Sequence, residues 1–269
     1  FKYQISNIKF NKKKIGYYEN NRIKIWGLDM VNPNYQFNVG EYREIAWEII
    51  GDIQTRGKLP IIVGGTGLYI KALTEALPFT NIPPDEKLRE ELSNLGLNEI
   101  KDRLQNINKP RFLKMNNSDQ NNPRRLIRAI EISLYLTHHP KHYNDIYHYS
   151  EENYQTVIIG LTADKKVLNK SVEERIKRRL EEGILTEIEK LLHQGYGWNL
   201  TSMSSLGYKE FRPFFEKKIS LPDAIKQWEQ DEIKYIKRQL VWFKKTPNIR
   251  WFDIANSGFY IEVEKLLIN

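Results

Sequence analysis

A chain of 269 residues, 40% hydrophobic and 28% charged, can bury one large core or a core domain carrying an insertion. It has no cysteine, which excludes a disulfide framework and a cysteine-ligated zinc site, and no window approaches the roughly 20 apolar residues of a membrane span. Lysine and arginine outnumber aspartate and glutamate by 42 to 34, a formal +8 that suits a polyanionic partner without proving one.

Residues 1–30 are basic, with Lys12-Lys13-Lys14 followed by a short apolar run from Ile23 to Leu28. From Glu41 to Ile53, apolar residues at helical spacing (Ile45, Ile49, Ile53, widened by Trp47 and Ile50) predict a helix. Leu59-Pro60-Ile61-Ile62-Val63 reads as a strand buried on both faces of a parallel sheet. Thr66 is placed to cap the next helix, from Gly67 to about Leu77. From Pro78 to about Asn122 the chain is polar and helical in tendency. Pro83-Pro84-Asp85 opens a helix that Gly96 closes, and a second, short one follows.

A long helix from Pro123 to about Leu136 leads into a loop rich in Tyr, Asn and His, where His138, His139, His142 and His148 read as exposed loop residues rather than a metal cluster. The α/β rhythm resumes with a strand at 156–161. Ser171-Val172-Glu173-Glu174 has the pattern of a capping box for a helix ending at Gly183. A helix from Ile184 to Gln194 is closed by Gly195, the longest helix runs from Ser220 to about Lys245, and Arg250-Trp251-Phe252 is a last strand. In the longest helix Ile225, Trp228, Ile236, Leu240 and Phe243 face the core, with Trp242 also read as core, while Lys234, Lys237, Arg238, Lys244 and Lys245 point outward.

Two glycines after an apolar strand let a ligand approach the backbone, and the helix beyond Thr66 points its positive end there. The plain alternative is a tight turn with Thr66 as an ordinary cap. Ligands of such sheets gather at the carboxyl ends of strands, which favours a functional Thr66. Arg175 and Arg179 lie four apart on one helix face; alone, they read more readily as a solvated face bridged to Glu181 or Glu182 than as a ligand site.

The full string Gly64-Gly65-Thr66-Gly67-Leu68-Tyr69-Ile70-Lys71-Ala72-Leu73 resembles the central motif of the tRNA dimethylallyltransferases (tRNA isopentenyltransferases). Phe37-Asn38-Val39-Gly40-Glu41-Tyr42, Asn122-Pro123-Arg124-Arg125-Leu126-Ile127-Arg128-Ala129, Gly207-Tyr208-Lys209-Glu210, Lys237-Arg238-Gln239-Leu240-Val241-Trp242-Phe243 and Trp251-Phe252-Asp253 agree with that family in order and spacing. The resemblance covers nearly the whole chain. It implies an α/β fold with a P-loop NTPase-like parallel sheet flanked by helices and a small all-helical insertion domain. The core then occupies 1–78 and 140–269, the second part with the basic C-terminal helix, and residues 79–139 form the tRNA-gripping insertion.

The implied activity is transfer of a dimethylallyl group from dimethylallyl diphosphate to N6 of the adenosine 3′-adjacent to the anticodon in tRNA, with release of diphosphate. The alternatives are a catalytically dead RNA-binding remnant and an adenylate isopentenyltransferase acting on free AMP, which the helical insertion and basic helix disfavour. By resemblance Thr66 is catalytic, and Gly64, Gly65, Arg175 and Arg179 bind diphosphate. Arg89, Arg124, Arg125, Arg128, Gly207, Tyr208, Lys209, Lys237, Arg238 and Gln239 contact tRNA. Asp29 sits where the family has a similar aspartate and is read chiefly as a turn residue. Mg²⁺ is the implied cofactor, with no ligand identifiable in these residues; the expected partners are the tRNA anticodon stem-loop and dimethylallyl diphosphate, not a membrane, and a cytoplasmic monomer is expected. No Gly-Lys-Ser or Gly-Lys-Thr occurs, so the family's phosphate loop and general-base aspartate are expected upstream of Phe1.

Overall fold

The computed structural model describes residues 1–75, 77, 79–80, 82–140 and 155–268. His142 and His148, and most of the loop read around them, lie outside the described residues. The chain falls into two compact units, one formed by Phe1–Ile70 with Gln155–Asn269 and the other by Lys71–Tyr154.

The first unit opens with an antiparallel meander of β1 (Lys2–Phe10), β2 (Lys13–Asn20) and β3 (Ile23–Ile25). Its two-residue connections, Asn11-Lys12 and Asn21-Arg22, hold all four residues at positive φ. That is the handedness that matches strand twist, and asparagine tolerates it best among non-glycine residues. Ile8, Phe10 and Ile15 on one face pack with Ile45 and Ile49 of α1 (Val39–Thr55). Asn38 caps α1, accepting from the amides of Gly40 and Glu41, while the Glu41 carboxylate accepts from the Asn38 amide in return.

Two expectations fail between α1 and the chain midpoint. Leu59–Val63 forms no strand, and Ile61 and Val63 are 72% and 89% exposed. A strand exists only when another ladder satisfies its amides and carbonyls, and none among the described residues pairs with this run. The helix after the glycine turn, α2 (Gly67–Thr74), also stops short of Leu77.

In the second unit, α3 (Glu86–Ser93) is capped by Asp85, and α6 (Pro123–His138) by Asn122. Between them lie α4 (Leu97–Lys114) and the single turn α5 (Asn117–Gln120). Gly96 does not close α3; it is the N-cap of α4, its amide donating to Glu99 (2.7 Å). Nor is α4 short: it continues through a kink at Asn108, two residues before Pro110, whose ring forbids a regular helix there. Leu92, Ile100, Leu104, Leu126 and Ile130 are the buried centre of this unit.

The first unit resumes with β4 (Ile158–Thr162), paired in parallel with β5 (Ile249–Asp253). Between them come α7 (Lys165–Glu181), α8 (Ile184–His193), two short 3₁₀ turns at Ser202–Ser204 and Lys209–Phe211, α9 (Arg212–Phe215) and α10 (Leu221–Phe243). α11 (Phe259–Ile268) follows β5. The Ser171 capping box is not realised. Asp164 captures the amides of Lys166 and Val167 a turn and more upstream, so Ser171 lies inside α7. Trp228 and Phe211 are fully buried among Val172, Ile176, Ile188 and Met203, giving this half its core. Trp242, read as core, is instead 44% exposed. No helix among the described residues is long and apolar enough to cross a membrane.

Candidate functional site

The site in the first unit is organised by one stripe of α10. Trp228, Glu232, Gln239 and Trp242 recur at helical spacing and so share a face about 21 Å long at 1.5 Å per residue. At its N-terminal end this stripe meets the two arginines of α7. The Trp228 indole donates to Glu232 Oε1 (3.1 Å), and the same oxygen lies 3.9 Å from Arg175 Nε. The Arg179 guanidinium stacks over the Trp228 ring, 5.6 Å from its centroid. Neither arginine bridges to Glu181 or Glu182; Glu181 pairs with Lys177 instead.

At its other end the stripe meets the glycine turn. Gln239 Nε2 donates to the Gly65 carbonyl (3.0 Å), and a Cβ at position 65 would sit 1.7 Å from that nitrogen. Glycine is required there because the amide of Gln239 occupies the side-chain space. The Trp242 ring covers Gly67 in the same way. The Thr66 carbonyl accepts from Tyr69 and Ile70 to start α2, while its exposed side chain has no hydrogen-bond partner among the described residues. Tyr69 stacks on Tyr42 of α1 (4.6 Å, 13° between planes), which ties the turn to the first helix. Burial raises the phenol pKa of both.

Gly207, at φ +86°, brings its Cα against Trp228 and Arg179. Tyr208 follows, its pKa pushed up to about 12, first by burial and then by its hydrogen bond to Glu187, with the Arg179 charge opposing. Asp29 is near enough to raise it further. Asp29 itself is a turn residue at φ +51° that accepts from the Tyr18 hydroxyl. Glu210 is buried, accepts from the Gly207 amide (2.8 Å), and is held above the usual carboxylate range by desolvation. Lys209 is spent between Glu210 (3.4 Å) and Asp231 (3.7 Å). Lys237 and Arg238 are exposed on α10, with Arg238 also near the Tyr235 ring.

The predicted arginines of the second unit have a different setting. Arg89 forks onto Glu131, Nε to Oε1 (2.7 Å) and Nη2 to Oε2 (3.1 Å). Arg128 donates to Glu131 Oε2 (3.1 Å) and to the carbonyls of Phe79 (2.9 Å) and Ile82 (2.7 Å). Arg125 is paired with Asp119. Arg124 is exposed and has no partner among the described residues.

The sequence reading missed Trp228 and Glu232 as partners of the arginines. Their signal was present, since 228, 232, 239 and 242 form one helical stripe, but sorting that helix into a core face and a basic face hid a polar residue inside the stripe.

A glycine turn at a helix start and two guanidiniums, all fixed to the same helix face, make the kind of anion-handling site that group-transfer enzymes use. Residues 6–246 match the IPP transferase family, and the chain belongs to that family. It is 34% identical over 244 residues to a tRNA dimethylallyltransferase of Finegoldia magna, spanning 90% of this chain and 77% of the relative. A tRNA dimethylallyltransferase of Geobacillus thermodenitrificans is also 34% identical, over 89% and 76%. Among solved structures, the full-length tRNA isopentenylpyrophosphate transferase of Bacillus halodurans aligns with a TM-score of 0.60 at 29% identity, over 89% of this chain and 76% of that one. The tRNA delta(2)-isopentenylpyrophosphate transferase of Staphylococcus epidermidis aligns at 0.58 and 29%, over 89% and 78%.

Proposed function

We propose that this chain transfers a dimethylallyl group from dimethylallyl diphosphate to N6 of the adenosine 3′-adjacent to the anticodon of a tRNA in the cytoplasm. The observation carrying this reading is the α10 stripe, which fixes the Arg175–Arg179 pair at one end and the Gly65–Thr66 turn at the other. In the reaction the adenine amine attacks C1 of the allyl group, the C1–oxygen bond breaks, diphosphate departs with the bonding electrons, and N6 gives up a proton to a base. Charge grows on the leaving oxygens, so the guanidiniums of Arg175 and Arg179 serve by binding diphosphate more tightly as it departs. Arg175 is half exposed with a single long ion pair, and Arg179 rests on an indole face, so their N–H groups are open to that ligand. The Thr66 hydroxyl, exposed at the start of α2, is suited to a hydrogen bond at the reacting end.

Magnesium would help neutralise the diphosphate. Among the described residues no three His, Cys, Asp or Glu side chains converge on a point, so they do not fit a protein cage for the ion. RNA contacts are assigned within each unit separately: Lys237 and Arg238, exposed on α10, with Gly207, Tyr208 and the ion-paired Lys209 in the first, and Arg124, exposed, with the ion-paired Arg89, Arg125 and Arg128 in the second.

A single-turnover assay with labelled dimethylallyl diphosphate and an anticodon stem-loop tests the proposal. Label on the RNA is expected. Retained RNA binding with no label would establish a dead remnant, and competition by AMP rather than tRNA would establish the free-nucleotide activity.

A further inference from the structure

The β1–β3 meander has a face that α1 does not cover. Opposite the Ile8–Ile15 side lie Tyr3, Ile5, Lys9, Lys14, Gly16, Tyr18, Ile23 and Ile25, as the register Tyr3↔Tyr18↔Ile25 and Lys9↔Lys14 requires. Tyr3, Ile5, Ile23 and Ile25 are 49%, 70%, 67% and 36% exposed. So much apolar surface on a single sheet face marks an interaction site.

Charge identifies the partner. Residues 1–25 hold seven basic side chains (Lys2, Lys9, Lys12, Lys13, Lys14, Arg22, Lys24) against one acid, Glu19: six of the eight excess positive charges of the whole chain. The aromatic geometry narrows it further. A Cβ on Gly16 would lie 2.3 Å from Tyr3 Cζ, so the Tyr3 ring lies down in the space a side chain would fill, braced edge-on by Tyr18 at 5.1 Å. An aromatic ring laid on a sheet and half open to solvent, on a face that farther along carries Lys9 and Lys14, is how single-stranded nucleic acid is bound: bases stack on the aromatic and phosphates run along the cations. The face also adjoins the site already described, because Tyr18 donates to Asp29, and Asp29 lies within electrostatic reach of Tyr208 beside Arg179.

We infer that the outer face of β1–β3 is a docking platform for a strand of RNA, with Tyr3 as a base-stacking residue and Lys9 and Lys14 as phosphate contacts. The inference rests on the tRNA reading above and adds a second RNA surface to it.

The test uses the full chain and a labelled anticodon stem-loop, with Kd measured across a salt series. In a Lys9→Gln/Lys14→Gln variant the slope of log affinity against log salt should shrink by about 1.4. Tyr3→Ala should weaken binding about tenfold with the slope unchanged. In both, prenyl transfer at saturating RNA should keep its rate while KM for RNA rises, and these exposed positions should leave the melting temperature in place. Unchanged Kd and slope in both variants would overturn the platform, as would loss of binding to anionic lipid vesicles with RNA affinity intact. If the wild-type chain labels RNA while the variants bind normally, the platform alone fails. If it never labels RNA but the variants lose affinity, the transferase reading alone fails.

Discussion

The two units each hold a pair of arginines facing a buried or nearly buried glutamate, and they use them in opposite ways. In the helical unit the Glu131 side chain is 1% exposed, and both of its oxygens accept from Arg89 and Arg128 at 2.7–3.1 Å, with the Asp85 amide adding a further bond. The guanidiniums are consumed: they bind the start of α3 and the carbonyls of Phe79 and Ile82 to α6. In the α/β unit Glu232 lies 3.9 Å from Arg175, its closer bond goes to Trp228, and Arg179, against the Trp228 ring and Gly207, makes no ion pair among the described residues. Arginine is equally costly to order in both places. The difference lies in how many of its N–H groups are already satisfied, and only the unsatisfied set is open to an anionic ligand.

Glu131→Ala should break the first arrangement most severely. It strands two partly exposed cations and an amide, costing about 3 kcal/mol, the low end for a buried pair; urea unfolding followed by circular dichroism reads it, and a loss below 1 kcal/mol would show that Glu131 is no hub. Arg179→Ala should leave unfolding almost untouched yet lower kcat/KM for dimethylallyl diphosphate about a hundredfold. Arg179→Lys should not restore it, since an ammonium lacks the fork. Equal losses of stability in the Glu131 and Arg179 variants would erase the contrast between the units.

Tyr208 sharpens the contrast through pH. Its folded pKa, about 12, exceeds the ordinary value of 10, so the protonated phenol is the form the fold favours. Its stabilisation is complete below pH 10 and is lost as pH rises toward 12. Tyr208→Phe should flatten that part of a stability–pH curve, and an unaltered curve would remove the Glu187 bond from the account. Arg124→Ala should change least: stability within about 0.5 kcal/mol, and the salt slope of RNA binding reduced by about 1.

Elements with local stop and start signals were readable in advance. α1, α6, α8 and α10 begin or end at Asn38, Asn122, Gly195 and Ser220, residues whose side chains or backbone freedom act within a turn of themselves. What depended on a distant partner was not. Leu59–Val63 has a strand's composition, but pairing is a property of two segments. The Ser171 box lost to Asp164 because both offered a cap and the apolar face already continued upstream through Val167 and Leu168. The N-terminal sheet hid for another reason: its turns use asparagine with lysine or arginine instead of glycine, although two such pairs ten residues apart, Asn11-Lys12 and Asn21-Arg22, were a signal. The site divided similarly. Gly65, Arg175 and Arg179 were candidates from motifs and Gln239 was one only as a tRNA contact, whereas the Gln239 bond to the Gly65 carbonyl and the engagement of Arg89 and Arg128 by Glu131 needed three-dimensional neighbours.

One helix turns the arginine pair and the glycine turn into lobes on a single shaft. Seven residues separate Glu232 from Gln239, almost two whole turns, so both lobes point the same way and stand about 10 Å apart. Their timing is therefore written in residue count rather than in any bond between them. Adding one alanine between them would rotate the far lobe by about 100° and put the glycine turn out of phase with the arginines, although every side chain in the site would still be present.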